Sequence, residues 1–278
     1  PPLPNLHVSA PERFSLFAGF QSGYRKAHSC ETAVTIIHND ILLMVDRQEN
    51  VVLLLLDLSA AFDTINHQLL LKKMKSMYGI GGIVLKWLKS YLMGRDFKVV
   101  VNGSSSSSCQ LVIGVPQGSI LGPLLFIMYT KDLEAIITKY GFSIHLYADD
   151  TQVYFSFDVH SENPNITSVS LCFKEIKEWM SKNFLKLNEG KTEFVDIGVY
   201  ESPVLSLPLL DDVNIKPSES AKNLGFMFDH QLNLNDQINR VSQVCYMNLR
   251  NLQMIGSRLS HELKVQLVHS CILSQIDY

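Results

Sequence analysis

The stretch "SIHLYADDTQVYFSF", residues 143–157, sets two carboxylates, Asp149 and Asp150, side by side between segments that read as strands. Adjacent like charges disfavour joint ionisation unless water or a cation stabilises them. The pattern predicts a β-hairpin with an acidic tip. Asp is a common turn former in its own right, so the doublet alone reads first as a structural turn. What it means depends on what the rest of the chain brings beside it.

Far upstream, "NVVLLLLDLS" (50–59) is a continuous apolar run that ends in Asp57. Val51 and Val52 favour strand and the run is short, which predicts a buried central strand in a sheet covered by helices. If that strand and the hairpin are neighbours in one sheet, Asp57 meets Asp149 and Asp150. Three carboxylates make an oxygen-only site suited to Mg²⁺, which takes such ligands at about 2.0–2.1 Å. Two cations about 3.5–4 Å apart can activate an attacking hydroxyl and stabilise the leaving oxygen of a phosphoryl transfer.

The remaining pattern alternates helices with short strands. Val34, Ile37, Ile41, Leu42 and Val45 recur at helical spacing within 30–48. Further helices are expected over 66–77, ending near Gly79, and over 82–94, closed by Gly94. Residues 119–141 predict one long buried helix with Pro123 in its first turn. More helix is expected over 170–184 and from about 234 onward. Residues 96–119 read as strand, polar loop, strand and Gly-rich turn, with serines 104–108 as a solvated loop. "KTEFVDIGV" (191–199) and "KNLGFMFD" (222–229) read as strands. Trp87 and Trp179 lie on apolar helix faces and read as packing residues. The fold class is α+β: a helical lead-in, a mixed or antiparallel sheet with packed helices, and a helical piece after a boundary near 230.

With 278 residues, 46% of them hydrophobic, the chain can build a real core and is not globally disordered. No apolar run approaches the roughly 20 residues of a membrane span, and the first residues lack a secretory leader pattern. The five cysteines show no C-x-x-C pair and no zinc spacing, which predicts reduced thiols in an intracellular protein, nuclear or cytoplasmic. A formal charge of −3 argues mildly against a nucleic-acid partner, so any such partner must be read from motifs.

Those motifs exist. "FQSGYRKAHSCETAV" (20–34), "LLDLSAAFDTINH" (55–67), "GVPQGSILGPLLF" (114–126), "LYADDTQVY" (146–154), "WMSKNFLKLNEGKTE" (179–193) and "NLGFMFDHQLN" (223–233) follow one another in this order. Together they resemble the reverse transcriptases of LINE-type, non-LTR retrotransposons. The resemblance runs from about residue 20 to 278. It implies the palm of a right-hand polymerase at 51–230, partial fingers at 20–50 and the start of a helical thumb at 231–278. Residues 1–19 are expected to be a poorly ordered lead-in.

The resemblance also implies roles. Asp57 and Asp149 would hold two Mg²⁺ ions, with Mn²⁺ as a substitute, and Asp150 would complete the acidic set. Phe62 would lie under the sugar of the incoming nucleotide and exclude a 2′-hydroxyl; its alternative is a core aromatic. Gln117 and Gly118 would begin a helix against which template and nucleotide pack, Gly118 allowing close backbone approach. Lys191 would protonate the departing pyrophosphate, or serve as a solvated strand-edge lysine. Arg25 and Lys26 would meet the template backbone. Leu224, Gly225 and Phe226 would grip the primer, although Phe226 and Phe228 also suit a core. The implied partners are an RNA template, a DNA primer and deoxynucleoside triphosphates, with no membrane.

The chain departs from the family at both ends. The basic fingers segment that holds the triphosphate has no counterpart before residue 20, and the thumb is expected to stop short. The expectation is a polymerase core of weak activity alone; the other reading is a non-catalytic retroelement remnant that at most binds RNA. Without the missing fingers, an apolar face near residues 30–45 should lie uncovered.

Overall fold

The computed structural model describes residues 18–116, 118–157, 166–188, 190–198, 207–210 and 213–277. Most of the expected lead-in, residues 1–17, lies outside them. In chain order the elements are α1 (Cys30–Val45), β1 (Asn50–Leu56), β2 (Leu58–Ser59), α2 (His67–Tyr78), α3 (Gly82–Leu92), β3 (Arg95–Phe97), β4 (Val100–Val101), β5 (Ser104–Ser105), β6 (Cys109–Leu111), α4 (Leu121–Thr130) and α5 (Leu133–Thr138). They continue with β7 (Ser143–Tyr147), β8 (Asp150–Phe157), α6 (Ile166–Lys182), β9 (Lys186–Leu187), β10 (Glu193–Ile197), β11 (Leu207–Leu210), β12 (Val213–Ile215), β13 (Ser220–Asn223), β14 (Phe226–Asp229), α7 (Asn235–Ile255) and α8 (His261–Val268).

The central sheet runs β10–β1–β8–β7 and is antiparallel at every pairing, not mixed. Strand β1 is interior, and its unbroken apolar run follows from burial on both faces. Side chains alternate along a strand. Val52, Leu54 and Leu56 enter the larger core with Leu70 and Met74 of α2, Phe126 and Tyr129 of α4, and Phe173 and Ile176 of α6. Val51 and Leu53 face the other way, against Ile37 and Ile41 of α1 and Phe228 of the β13–β14 hairpin.

Local signals set the helix ends. Ser29 and Thr32 form a reciprocal capping box at the start of α1. Asn66 caps α2, and Gly79, at φ 64°, ends it. On its outer side α1 leaves Ile36, Leu42 and Leu43 exposed.

Several expectations are corrected. The single helix over 119–141 is two, α4 and α5, separated at Lys131 and Asp132. Side chains from α2 capture carbonyls near the end of α4: Lys73 Nζ donates to Tyr129 O at 2.7 Å and Tyr78 Oη to Met128 O at 2.8 Å. Of the serine run, Ser104 and Ser105 are not loop but strand, paired with Val101 and Val100. Trp179 is buried as expected, whereas Trp87 is 44% exposed and stacks on Tyr91. The cysteines in the described residues are free thiols. No described helix is long and apolar enough to cross a membrane.

Candidate active site

The acidic residues sit at one end of the sheet. Pairing of β7 with β8 closes at Tyr147 and Asp150, leaving Ala148 and Asp149 as a two-residue turn. Ala148 has φ 59°, in the left-handed region that non-glycine residues seldom adopt. Pairing of β1 with β8 ends at Leu56 and Thr151. One residue further along that register, Asp57 comes level with Asp150. The chain turns there into β2, and Asp57 O accepts the Asn188 amide at 2.8 Å.

Asp150 retains exposed surface, yet the surrounding protein displaces enough water to push its carboxyl up to about 6. Repulsion from Asp149, and then from Asp57, adds to that burial. Asp150 therefore feels both of the other acids. Among the described residues no three His, Cys, Asp or Glu side chains are gathered tightly enough to hold a metal ion. The fit to a dication lies in the chemistry of the donors: carboxylate oxygens only, mutually repelling. Lys191 Nζ stands 3.9 Å from Asp57 Oδ2, and its side chain is 72% exposed. A pair that long and that wet contributes little.

The raised Asp150 carboxyl has a stability consequence. Its folded value lies above the unfolded one, so its contribution is fully present below about pH 4 and lost as pH rises through about 6. At neutral pH, in chelator, Asp150→Asn should stabilise the protein by about 1 kcal/mol after discounting for solvent screening. Thermal melts across pH 4–8 check this: the gain should shrink toward pH 4.

Phe62 lies on the segment after β2 and is half-buried, its ring 4.9 Å from that of Phe126 in α4. The 114–115 segment is fastened beneath it. Val115 N donates to Phe62 O at 2.9 Å, and Gly114 N donates to Ile65 O at 2.8 Å. Gly114 has φ 86°, and a β-carbon there would meet Asp63 O at 3.0 Å. Gly114 is therefore the glycine that the protein's own backbone approaches closely. Gly118 has φ 74° and open space around it. It also precedes the helix rather than beginning it: α4 starts at Leu121, where Ser119 Oγ accepts the Gly122 amide at 3.0 Å. Gln117 lies outside the described residues.

Arg25 turns its guanidinium onto the Gln21 carbonyl at 3.0 Å and the Gly19 carbonyl at 3.4 Å, which leaves Lys26 as the exposed cation of that pair. Leu224 and Gly225 form the β13–β14 turn with φ 49° and 94°. This suits a two-residue hairpin, in which both central residues take positive φ. Phe226 packs edge-on against Phe228 at 5.1 Å, at the rim of the smaller core. The hairpin is held from both sides. Gln152 Nε2 of β8 donates to Asn223 Oδ1 at 2.9 Å, and Arg240 of α7 donates to Gly225 O at 2.6 Å.

Sequence reasoning missed Gln21, which hydrogen-bonds the acidic turn, and Ser22 and Gly23, which hold the same loop against β7 and Ala148. Gln21 Oε1 accepts the Ala148 amide at 3.1 Å and the Gly23 amide at 2.7 Å. Ser22 Oγ is 2.9 Å from His145 Nε2. The one available signal was the pairing of a glutamine with a glycine in "FQSGYR".

Comparison with known proteins gives this geometry a family. The model of the reverse transcriptase (RNA-dependent DNA polymerase) family matches residues 6–228. The chain is 29% identical over 251 residues to the probable RNA-directed DNA polymerase from transposon BS of Drosophila melanogaster, covering 86% of this chain and 27% of that protein. It is 30% identical over 237 residues to the probable RNA-directed DNA polymerase from transposon X-element of the same species, covering 83% and 25%. Against the RNA-directed DNA polymerase from mobile element jockey of Drosophila funebris it is 26% identical over 265 residues, covering 92% and 28%. The chain spans about a quarter of the length of these curated relatives. Among solved structures, it is similar to apo telomerase from Candida tropicalis truncated from its C-terminal domain, with TM-score 0.53, 14% identity, and 76% of this chain and 40% of that one covered. Telomerase from the same yeast in complex with a TWJ fragment of telomeric RNA gives TM-score 0.54 at 12% identity, covering 93% and 42%. At such identities the likeness is one of fold, an α+β polymerase palm. Matched by its family model along residues 6–228, the chain belongs to the reverse transcriptase (RNA-dependent DNA polymerase) family.

Proposed function

We propose that this chain is the core of an RNA-directed DNA polymerase, adding deoxynucleotides to a DNA primer on an RNA template by two-ion nucleotidyl transfer. One observation supports the reading: pairing of β1 with β8 ends at Leu56 and Thr151, next to Asp57 and Asp150, and burial, Asp149 and Asp57, in that order, raise the carboxyl of Asp150. Bound Mg²⁺, or Mn²⁺ in its place, would supply Lewis-acid activation of the primer 3′-hydroxyl and neutralise charge on the leaving pyrophosphate. Asp57 and Asp149 would hold the ions, with Asp150 beside them. Lys191, 3.9 Å from Asp57 Oδ2 and 72% exposed at its side chain, would give a proton to the pyrophosphate. Lys26 meets template phosphate, where positive charge positions the strand without reading sequence. The turn at Leu224, Gly225 and Phe226 contacts the primer.

The test is extension of an annealed primer by the purified chain with deoxynucleotides and Mg²⁺. Ion-dependent extension is expected. Absence of extension with either ion, alongside retained RNA binding, would favour the non-catalytic remnant.

Phe62 carries a specificity prediction. Its ring is braced by Phe126 and cannot easily swing away. Phe62→Val should raise ribonucleotide incorporation relative to deoxynucleotide by about 10- to 100-fold, the range set by small steric differences in a pocket. Competition assays with paired triphosphates measure this. An unchanged ratio would place Phe62 in the core and nowhere near the sugar.

A further inference from the structure

We infer that Gln21 is a positioning residue for the acidic turn, and that the loop Gln21–Gly23 clamps that turn so that Asp149 and Asp150 are presented to cations. The inference rests on the polymerase reading only for what the acids then do. The clamp itself is a matter of geometry. Gln21 is 1% exposed, and its carbonyl oxygen accepts two amides, Ala148 N at 3.1 Å and Gly23 N at 2.7 Å. Its amide nitrogen lies 3.5 Å from Ala148 O. One buried side chain thus brackets both backbone groups of the residue immediately before Asp149.

The neighbours reinforce the grip. Ser22 N donates to Leu146 O at 2.8 Å and Leu146 N to Phe20 O at 2.9 Å, so the loop runs parallel to the end of β7 as a fragment of an extra strand. The Ser22 hydroxyl and the His145 ring, 2.9 Å apart, are 2% and 3% exposed. A β-carbon on Gly23 would lie 2.4 Å from Ala148 N, so only glycine allows the loop to sit this close.

The turn needs such support. Ala148 is held at φ 59°, a conformation that persists in non-glycine residues only where the surroundings over-determine it. The two carboxylates that follow repel each other and would open an unsupported turn. Outer-shell partners of metal ligands typically carry 10- to 100-fold in metal affinity. Gln21 occupies that place here, acting through the backbone and not through a ligand side chain.

Three variants of the full chain test this: Gln21→Met, which keeps the length and removes the polar atoms; Gly23→Ala; and Gln21→Met combined with Ala148→Gly. Amide hydrogen exchange over 145–152, Mn²⁺ affinity by spin-resonance titration, and primer extension are measured on each, with thermal melts to verify folding. Exchange at the turn should rise at least about 10-fold in Gln21→Met, and Mn²⁺ affinity should fall about 10-fold. The added Ala148→Gly should recover most of that affinity, since glycine takes positive φ without strain. Gly23→Ala should reproduce the loss with Gln21 intact, which keeps the test decisive if Gln21→Met does not fold. Exchange and affinity within twofold of wild type in the folded variants would overturn the clamp. A wild-type chain that neither binds Mn²⁺ nor extends a primer would instead overturn the polymerase reading, while the exchange measurement still decides the clamp.

Discussion

Asp149→Asn is expected to lower primer extension by about 10³-fold while leaving the fold and its melting temperature essentially unchanged. Asparagine keeps the volume of aspartate and is equally at home in a turn. What it removes is charge. A neutral amide is a poor partner for a hard dication, which relies on anionic oxygen. The substitution also has a signature that does not depend on activity. Asp149 is the leading charge among the influences on Asp150, second only to burial. Its neutralisation should bring the Asp150 carboxyl down from about 6, and titration followed by carboxyl-resolved NMR would record the shift. Extension within about tenfold of wild type, or an unmoved Asp150, would remove Asp149 from the chemistry.

The second large effect concerns stability. Lys73→Ala should destabilise the protein by about 3 kcal/mol, the lower end of what breaking a buried ion pair costs. Lys73 is 7% exposed, unusual for a lysine. Its ammonium donates to Tyr129 O at 2.7 Å and Asp132 Oδ1 at 2.9 Å, and lies 4.8 Å from the Tyr129 ring centroid. Burial lowers its pKa, and the hydrogen bond to Asp132 works against that fall. Truncation would strand a carbonyl and leave a carboxylate without its partner. The Asp132 side chain is 35% exposed, so water recovers part of the loss, which is why the lower end applies. Urea unfolding measures the change. A loss under about 1 kcal/mol would show that Asp132 relaxes into solvent.

Lys73 also marks where sequence reading stopped working. After Pro123, residues 124–140 carry no Gly or Pro, and nothing local announces a division into α4 and α5. The division comes from Lys73 and Tyr78, side chains on another helix that capture the carbonyls of Tyr129 and Met128. By contrast, β1 and the acidic hairpin were legible because their signals are local: a short apolar run closed by an acid, and a carboxylate pair between two strands. Expecting Asp57 near the doublet needed the motif order, since no spacing rule joins positions so far apart. Gln21 was invisible for a related reason. It binds backbone atoms 127 residues away, and a backbone amide has no letter in the sequence. The sequence did not single out Gly114 from Gly118. Only the packing of Asp63 against Gly114 separates the two.

The amide bridge between Gln152 and Asn223 has a mechanical consequence. Gln152 follows Asp150 by two residues and so shares its side of the strand. Asn223 leads into the turn whose Gly225 carbonyl is gripped by Arg240. A displacement of the long C-terminal helix would therefore travel to Asp150 through two short hydrogen bonds and a few peptide units.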